Sequence, residues 1–345
     1  MIRRRIKSIL SCLFLITLFC TDLGNARVAQ INTIDAVFSP ERIRRDVFRL
    51  ADPSLMFGRG TGQPGYEMAR DFLARELRSL GYQVTIQSFV VSNSYSPRTG
   101  EVNTIYSSNV IGVLRGSAQD SSAVLFSAHA DHVGIREGIV YSGADDNASG
   151  VAAVLAIARA FSAMRRQDIT VERSIMICFF GAEETVSMIG SQHFLSSRYF
   201  TRWRPVALLN FDMVGRGGLD SVVVMGSLYN RAFGRESPTL FQMVQDLNTE
   251  GLVIPNLDTA RTKFLSPNLI ESFNKSDHWN FYNRGIPVLF FFTGLHSDYH
   301  RPTDTADRID YNKLSRISRL GFRIGFRIAS SNIWPAFALD PIYIR

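Results

Sequence analysis

An α/β domain built on a mostly parallel, mixed sheet with helices on both faces is the fold class this sequence predicts. Three observations carry it. Short apolar runs rich in β-branched residues and Phe alternate with stretches of helical period, the pattern of strands joined by helical crossovers. The runs AVLFSA (123–128), SIMICFF (174–180), VALLNF (206–211) and PVLFFF (287–292) are apolar without alternation, as strands covered on both faces must be. Finally, 345 residues, 46% of them hydrophobic and without internal repeats, suffice for one large core. Nothing reads as an interdomain linker, so residues 27–345 are expected to form one domain.

Residues 1–26 stand outside that domain. Arg3, Arg4, Arg5 and Lys7 precede an apolar run over 9–20, and Gly24 and Ala26 supply the small residues of a cleavage site. This reads as a secretory signal peptide, too short for a favoured spanning helix, with an uncleaved anchor as the alternative. The protein is expected to be secreted or periplasmic, with no stable membrane insertion after cleavage. Without the signal, Lys+Arg numbers 34 against 30 Asp+Glu, so the formal charge falls from +7 to +4. So small a value argues against a nucleic-acid partner. Cys12 and Cys20 leave with the signal, and Cys178 alone cannot form an internal disulfide.

Along the domain, Ala69, Phe72, Leu73, Leu77 and Leu80 share one helical face, and Gly81 stops that helix before a strand over 82–91. Strands follow at 109–116 and 123–128. VAAVLAIARAF (151–161) is apolar nearly all round, hence a buried helix, with Asn147 or Ser149 as its cap. Strands at 174–180, 206–211, 221–226 and 287–292 complete the sheet, whereas 213–275 is less periodic and is expected to hold loops. A last helix over 311–328 carries an apolar stripe of Leu314, Ile317, Leu320, Ile324 and Ile328. Lys313, Arg316, Arg319, Arg323 and Arg327 lie off the stripe. This predicts packing on the sheet with a solvated basic face, in preference to a membrane-surface helix.

The polar residues that need explaining stand at the carboxyl ends of strands, where open α/β sheets form their ligand crevice. His129 and Asp131 follow one strand, Glu183 and Glu184 another, Asp212 a third, and His300 comes a little after a fourth. YSGADDNASG adds Asp145 and Asp146 in a Gly-flanked loop before the buried helix. Histidines and carboxylates without thiolates suit catalytic zinc, with manganese or cobalt as chemical alternatives. Charge favours two ions: Asp146, Glu184 and Asp212 bring −3, two divalent ions +4, and a bridging hydroxide closes the sum.

HADHVG, GADDNASG, GAEE, NFDMVGR, SDHWNFYNRGIP and SDYHRPTDT, in this order, closely resemble the di-zinc aminopeptidases of metallopeptidase family 28. The resemblance implies a zinc exopeptidase-like fold and two Zn²⁺ ions. It implies Asp146 as the bridge, His129 and Asp212 completing one site, and Glu184 and His300 the other. Glu183 is implied as general base, taking a proton from the metal-bridging water and passing it to the leaving amine. Asp131 is implied to orient the His129 ring from behind, Ser276 to do the same for His300, and Tyr299 to donate to the developing oxyanion. A cis Asp146–Asn147 bond is implied as well. The other histidines, His132, His193, His278 and His296, read as surface or structural. Asp145 is read as shaping its loop, and Asp298 as making a turn or a salt bridge with Arg301.

The expected activity is release of the N-terminal residue from peptides with a free amino end. Two alternatives share the fold: a single-zinc glutaminyl cyclase, and a receptor-like homologue without catalysis. Cyclases typically carry Trp where this chain has Tyr299 and alter the GADDNASG loop; receptor-like relatives lose ligands, and none is missing here. Only 47 residues separate Gly81 from His129, too few for an inserted protease-associated domain, so a compact exopeptidase is expected. Phe264 and Leu265 are candidates for an apolar side-chain pocket.

Overall fold

The computed structural model describes residues 34–95, 102–184, 188–217, 221–226, 237–252 and 274–337. The expected signal segment and the candidate pocket residues Phe264 and Leu265 lie outside the described residues. Strands β1 (Gln83–Tyr95), β2 (Val102–Leu114), β3 (Ser122–His129), β6 (Ser174–Phe180), β7 (Arg204–Phe211), β8 (Val223–Met225) and β9 (Val288–Phe292) form one sheet in the order β1-β2-β6-β3-β7-β9-β8. The central strands β6, β3, β7 and β9 run parallel, while β1, β2 and β8 are antiparallel to their neighbours. A hairpin of β4 (Gly134–Arg136) and β5 (Ile139–Tyr141) stands apart; sequence reasoning did not find it.

Side chains alternate across the sheet, and each face meets its own core. One face turns Val124, Phe126, Ile175, Ile177, Leu209 and Phe291 toward helices α1 (Pro40–Ala51), α2 (Pro64–Ser79), α3 (Gly150–Arg166), α6 (Pro238–Leu247) and α8 (Tyr311–Ala329). The other turns Leu125, Met176, Phe180, Leu208 and Phe290 toward Phe194 of α4 (Ile189–Leu195) and Phe281 of α7 (His278–Asn283). Burial on both faces is why these strands carry no polar alternation. α5 (Arg198–Arg202) completes the described α-helices.

The buried helix begins at Gly150, and its N–H donates to Asn147 Oδ1 at 3.0 Å, so Asn147 and not Ser149 supplies the cap. Gly81 ends α2 at φ 85°, a conformation that costs glycine nothing. The closing helix α8 buries its apolar stripe as expected. Its basic face is not simply solvated. Lys313 is buried and donates to Arg216 O at 2.7 Å. Arg316 donates to Glu250 O, while Arg319 and Arg323 grip the Glu250 carboxylate at 2.7 Å each. The segment after α6 is thereby fastened to α8 by one glutamate. α1, which sequence reasoning left in the lead, packs Ile43, Val47 and Leu50 into the same core.

Candidate metal centre

Parallel pairing brings four strand ends level: His129 of β3 lies opposite Phe180 of β6, and Phe211 of β7 opposite Phe291 of β9. The next residues of each chain segment therefore enter one crevice. Three of them sit beside or within strained backbone, with positive φ at Ala182 (59°), Met213 (50°) and His300 (54°), a cost that surrounding structure must enforce.

Asp146 stands at the centre. Its Oδ1 lies 3.4 Å from His129 Nε2, which is 3.3 Å from Asp212 Oδ1. Its Oδ2 lies 3.1 Å from His300 Nε2, which is 3.0 Å from Glu184 Oε2. One carboxylate thus serves two clusters, and all five residues expected as ligands come together. The donor atoms fit zinc. Ligand arms of 2.0–2.1 Å in a tetrahedron give donor–donor separations of about 3.3 Å, which these contacts match. Among the described residues, two groups have donor atoms close enough together for an ion: His129, Asp146 and Asp212, and His132, Asp146 and Glu184.

His132 corrects the sequence reading. It is buried inside the site, with Nδ1 3.0 Å from Glu184 Oε1 and 3.7 Å from Asp146 Oδ2. His193 and His278 are structural as expected, stacked on Phe89 and Phe290. His296 lies nearer the centre, its Nε2 3.2 Å from Asp145 Oδ2.

The implied supporting residues are rearranged. The His129 Nδ1 faces the backbone carbonyl of Asp131 at 3.2 Å, with the carboxylate oxygen at 3.8 Å, beyond hydrogen-bond reach. The Asp131 carboxylate instead accepts from the N–H of Glu183 (3.1 Å) and Glu184 (3.3 Å) and from the Thr61 hydroxyl (3.1 Å). It therefore places the two glutamates and still faces the His129 ring at ion-pair distance, the ring's hydrogen-bond contact being with the Asp131 main-chain carbonyl. Ser276 does not orient His300: its hydroxyl accepts from Asn210 Nδ2 at 3.0 Å, within a buried chain that runs on to Ser127. Asp298 pairs with Arg216 (2.9 Å) and Arg308 (2.8 Å), while Arg301 contributes only its backbone N–H. Tyr299 is 37% exposed and stacks on the His300 ring at 3.9 Å.

The loop carrying Asp146 is held from three sides. Asp304 accepts from the N–H of Asp145 at 3.0 Å and of Asp146 at 3.1 Å. Asn147 joins Phe211 O and Met213 N, the residues flanking Asp212. Asp145 shapes its loop as expected, its Oδ1 accepting from Gly215 N at 2.7 Å. Arg59, buried, spends its guanidinium on four carbonyls: Leu50, Ala130, Ser142 and Gly143. Burial lowers it only to about 10, so it stays cationic behind the carboxylates. The Asp146–Asn147 bond is cis. Asp304 stands within SDYHRPTDT without a role assigned to it, and Arg59 stands in none of the six motifs; what they hold is visible only once the loops meet.

Environment separates the adjacent glutamates. Burial raises both, and Glu183, repelled by Glu184 and Asp212 against the pull of His129, ends well above the usual carboxylate range. For Glu184 the hydrogen bonds with His132 and His300 outweigh burial and hold it well below. Burial also lifts Asp277 to about 7.

A mixed sheet with a histidine–carboxylate crevice at its parallel strand ends defines a zinc exopeptidase-like fold. The sequence profile of peptidase family M28 matches residues 109–323, and the chain belongs to that metallopeptidase family. It is 28% identical over 252 residues to leupeptin-inactivating enzyme 1 of Streptomyces exfoliatus, covering 72% of this chain and 47% of that protein, about half its length. It is 23% identical over 314 residues to a glutaminyl-peptide cyclotransferase of Drosophila melanogaster, covering 82% and 81%. Among solved structures, an aminopeptidase from Aneurinibacillus sp. strain AM-1 superposes with a TM-score of 0.63 at 17% identity, over 89% of this chain and 97% of the other. A zinc aminopeptidase from Bacillus subtilis gives 0.62 at 14% identity, over 86% and 96%.

Proposed function

We propose that this protein is an exported di-zinc aminopeptidase that removes the N-terminal residue from peptides with a free amino end. One observation carries the reading: the two oxygens of Asp146 face two separate histidine–carboxylate clusters, at 3.4 Å on one side and 3.1 Å on the other. His129, Asp146 and Asp212 would hold one ion, and Asp146, Glu184 and His300 the other. Bound there, the ions would supply positive charge for a scissile carbonyl and acidify a water molecule.

The chain's own residues do the remaining work. Glu183, whose burial strengthens its carboxylate as a base, takes a proton from water and returns it to the leaving amine. Asp131 fixes where that carboxyl starts by holding the Glu183 N–H. Tyr299, placed beside His300, is the candidate donor to the substrate oxygen. The carboxylate-rich crevice suits a substrate ammonium, which an acetyl cap removes. The 26 leading residues support export.

The similarity to a glutaminyl-peptide cyclotransferase favours a second reading, cyclisation of N-terminal glutamine at a single ion. Tyr299 and the intact GADDNASG loop weigh against it. Mass spectrometry of matched free and N-acetylated peptides separates the readings. Stepwise loss of N-terminal residues from free peptides alone is expected. Internal cleavage of capped peptides would overturn the exopeptidase, and loss of ammonia from glutamine peptides without hydrolysis would establish the cyclase.

A further inference from the structure

We infer that His132 is a positioning residue of the metal centre, fixing the Glu184 carboxylate through a hydrogen bond donated by Nδ1. The inference rests on the two-ion reading above. The His132 ring is 1% exposed, with Nδ1 3.0 Å from Glu184 Oε1. Its Nε2 is buried and has no hydrogen-bond partner among the described residues.

Those two facts assign the tautomer. A neutral imidazole carries one N–H. With the proton on Nε2, a donor is buried unpaired, and the Nδ1 lone pair faces a carboxylate lone pair. With the proton on Nδ1, Glu184 receives a hydrogen bond and only an acceptor goes unmet, the lesser loss. The same geometry argues against His132 as a direct ligand. Ligation through Nδ1 leaves the proton on Nε2, and the 3.7 Å to Asp146 Oδ2 exceeds the 3.0–3.4 Å among the five expected ligands.

The ring is also held in place. Gly143 lies in the left-handed region at φ 58°, and a Cβ there would collide with Cγ and Cδ2 of His132. His132 and His300 stand edge to face, 5.7 Å apart, and both reach the Glu184 carboxylate. A metal-binding carboxylate anchored by a hydrogen bond presents its lone pairs in one direction, which saves ordering when an ion arrives.

Amide side chains give a positional test. The amide group of Asn reaches the place of Nδ1, and that of Gln the place of Nε2, so His132→Asn keeps the donor and His132→Gln misplaces it. Zinc is titrated calorimetrically into metal-free wild type, His132→Asn, His132→Gln and His132→Ala, with circular dichroism as a fold check. The expected result is two ions in every protein, near-wild-type affinities for the Asn variant, and one of the two ions weakened by about 10–100-fold in the Gln and Ala variants, the usual worth of such supporting partners. Outright loss of one ion from Gln and Ala would make His132 a ligand and overturn the inference. Unchanged affinities in both would make it a core histidine and overturn it equally. The Asn–Gln comparison stands even where the Ala variant does not fold. A wild type that binds one ion only would instead sink the two-ion reading itself.

Discussion

On the face of the sheet covered by α1, α2 and α3, Asp46 of α1 and Glu76 of α2 share the guanidinium of Arg159 from α3; at the strand ends, Asp146, Glu184 and Asp212 have no guanidinium among their described partners. Arg159 meets Asp46 with both terminal nitrogens, one of them at 2.9 Å, and reaches Glu76 at 2.9 Å. At the crevice the available cation, Arg59, gives its donors to backbone carbonyls. The carboxylates there face histidines and one another. Buried carboxylates answered by a protein cation are neutralised within the chain, and removing the cation leaves a costly buried charge. Buried carboxylates left with histidine donors are matched to a cation from outside. The first cluster is closed within the chain, and the second is left open to a positively charged ligand.

Four measurements test that contrast. The largest effect is expected for Glu183→Gln, which removes the proposed proton shuttle without touching a proposed ligand: turnover of an aminoacyl-nitroanilide should fall by about 10²–10⁴-fold. Zinc content by elemental analysis should stay at the wild-type value, whereas Glu184→Gln should lower it. Equal metal loss in both variants would erase the division of labour between the two glutamates.

Next comes Arg159→Met. It leaves Asp46 buried without its partner, and denaturant unfolding should show a loss of about 3–5 kcal/mol. Metal affinity in the folded variant should not change. A variant as stable as wild type, or one defective in zinc binding, would blur the two clusters into one. Chelation should act in the opposite sense, abolishing activity and removing only ligand-linked stability. That amounts to about 2.7 kcal/mol when free zinc stands at a hundredfold over Kd. Thermal unfolding with and without zinc measures it, and equal melting temperatures would mean that the crevice does not bind the ion.

The smallest effect concerns Asp298, which belongs to neither cluster but secures the loop carrying His300. Its hydrogen bonds with Thr303, Arg216 and Arg308 hold its carboxyl below the usual range. A depressed carboxylate stabilises the fold above its unfolded value and loses that contribution as pH falls below about 4. Asp298→Asn should therefore cost stability at neutral pH and flatten the acid limb of the stability profile. An unchanged acid limb would show that the ion pairs contribute nothing.

What this sequence determined by itself is the part of the molecule governed by local period and by the ends of strands. Continuous apolar runs announced strands buried on both faces. A ligand one residue after such a run, such as Asp212, had nowhere to go but the crevice. Ordered motifs then marked four residues, His129, Glu184, Asp212 and His300, that do meet around a fifth, Asp146. Only the tertiary structure decided which other polar groups turn inward. His132 follows the same strand as His129 by three residues, and its direction depends on a left-handed turn at Gly143 in another loop. Arg59 comes from a segment 71 residues before the carbonyl of Ala130 that it holds, and Asp304 lies 159 residues beyond the N–H of Asp145. Ser276 was expected behind His300 but stands elsewhere, and the Asp131 carboxylate, though near His129, accepts its hydrogen bonds from the two glutamate N–H groups, because a side chain's partner is set by loop backbone that carries no periodic signal. Hydrophobic period reports burial, which is a property of one segment. Hydrogen-bond partnership is a property of two, and it becomes readable only when the chain has brought them together.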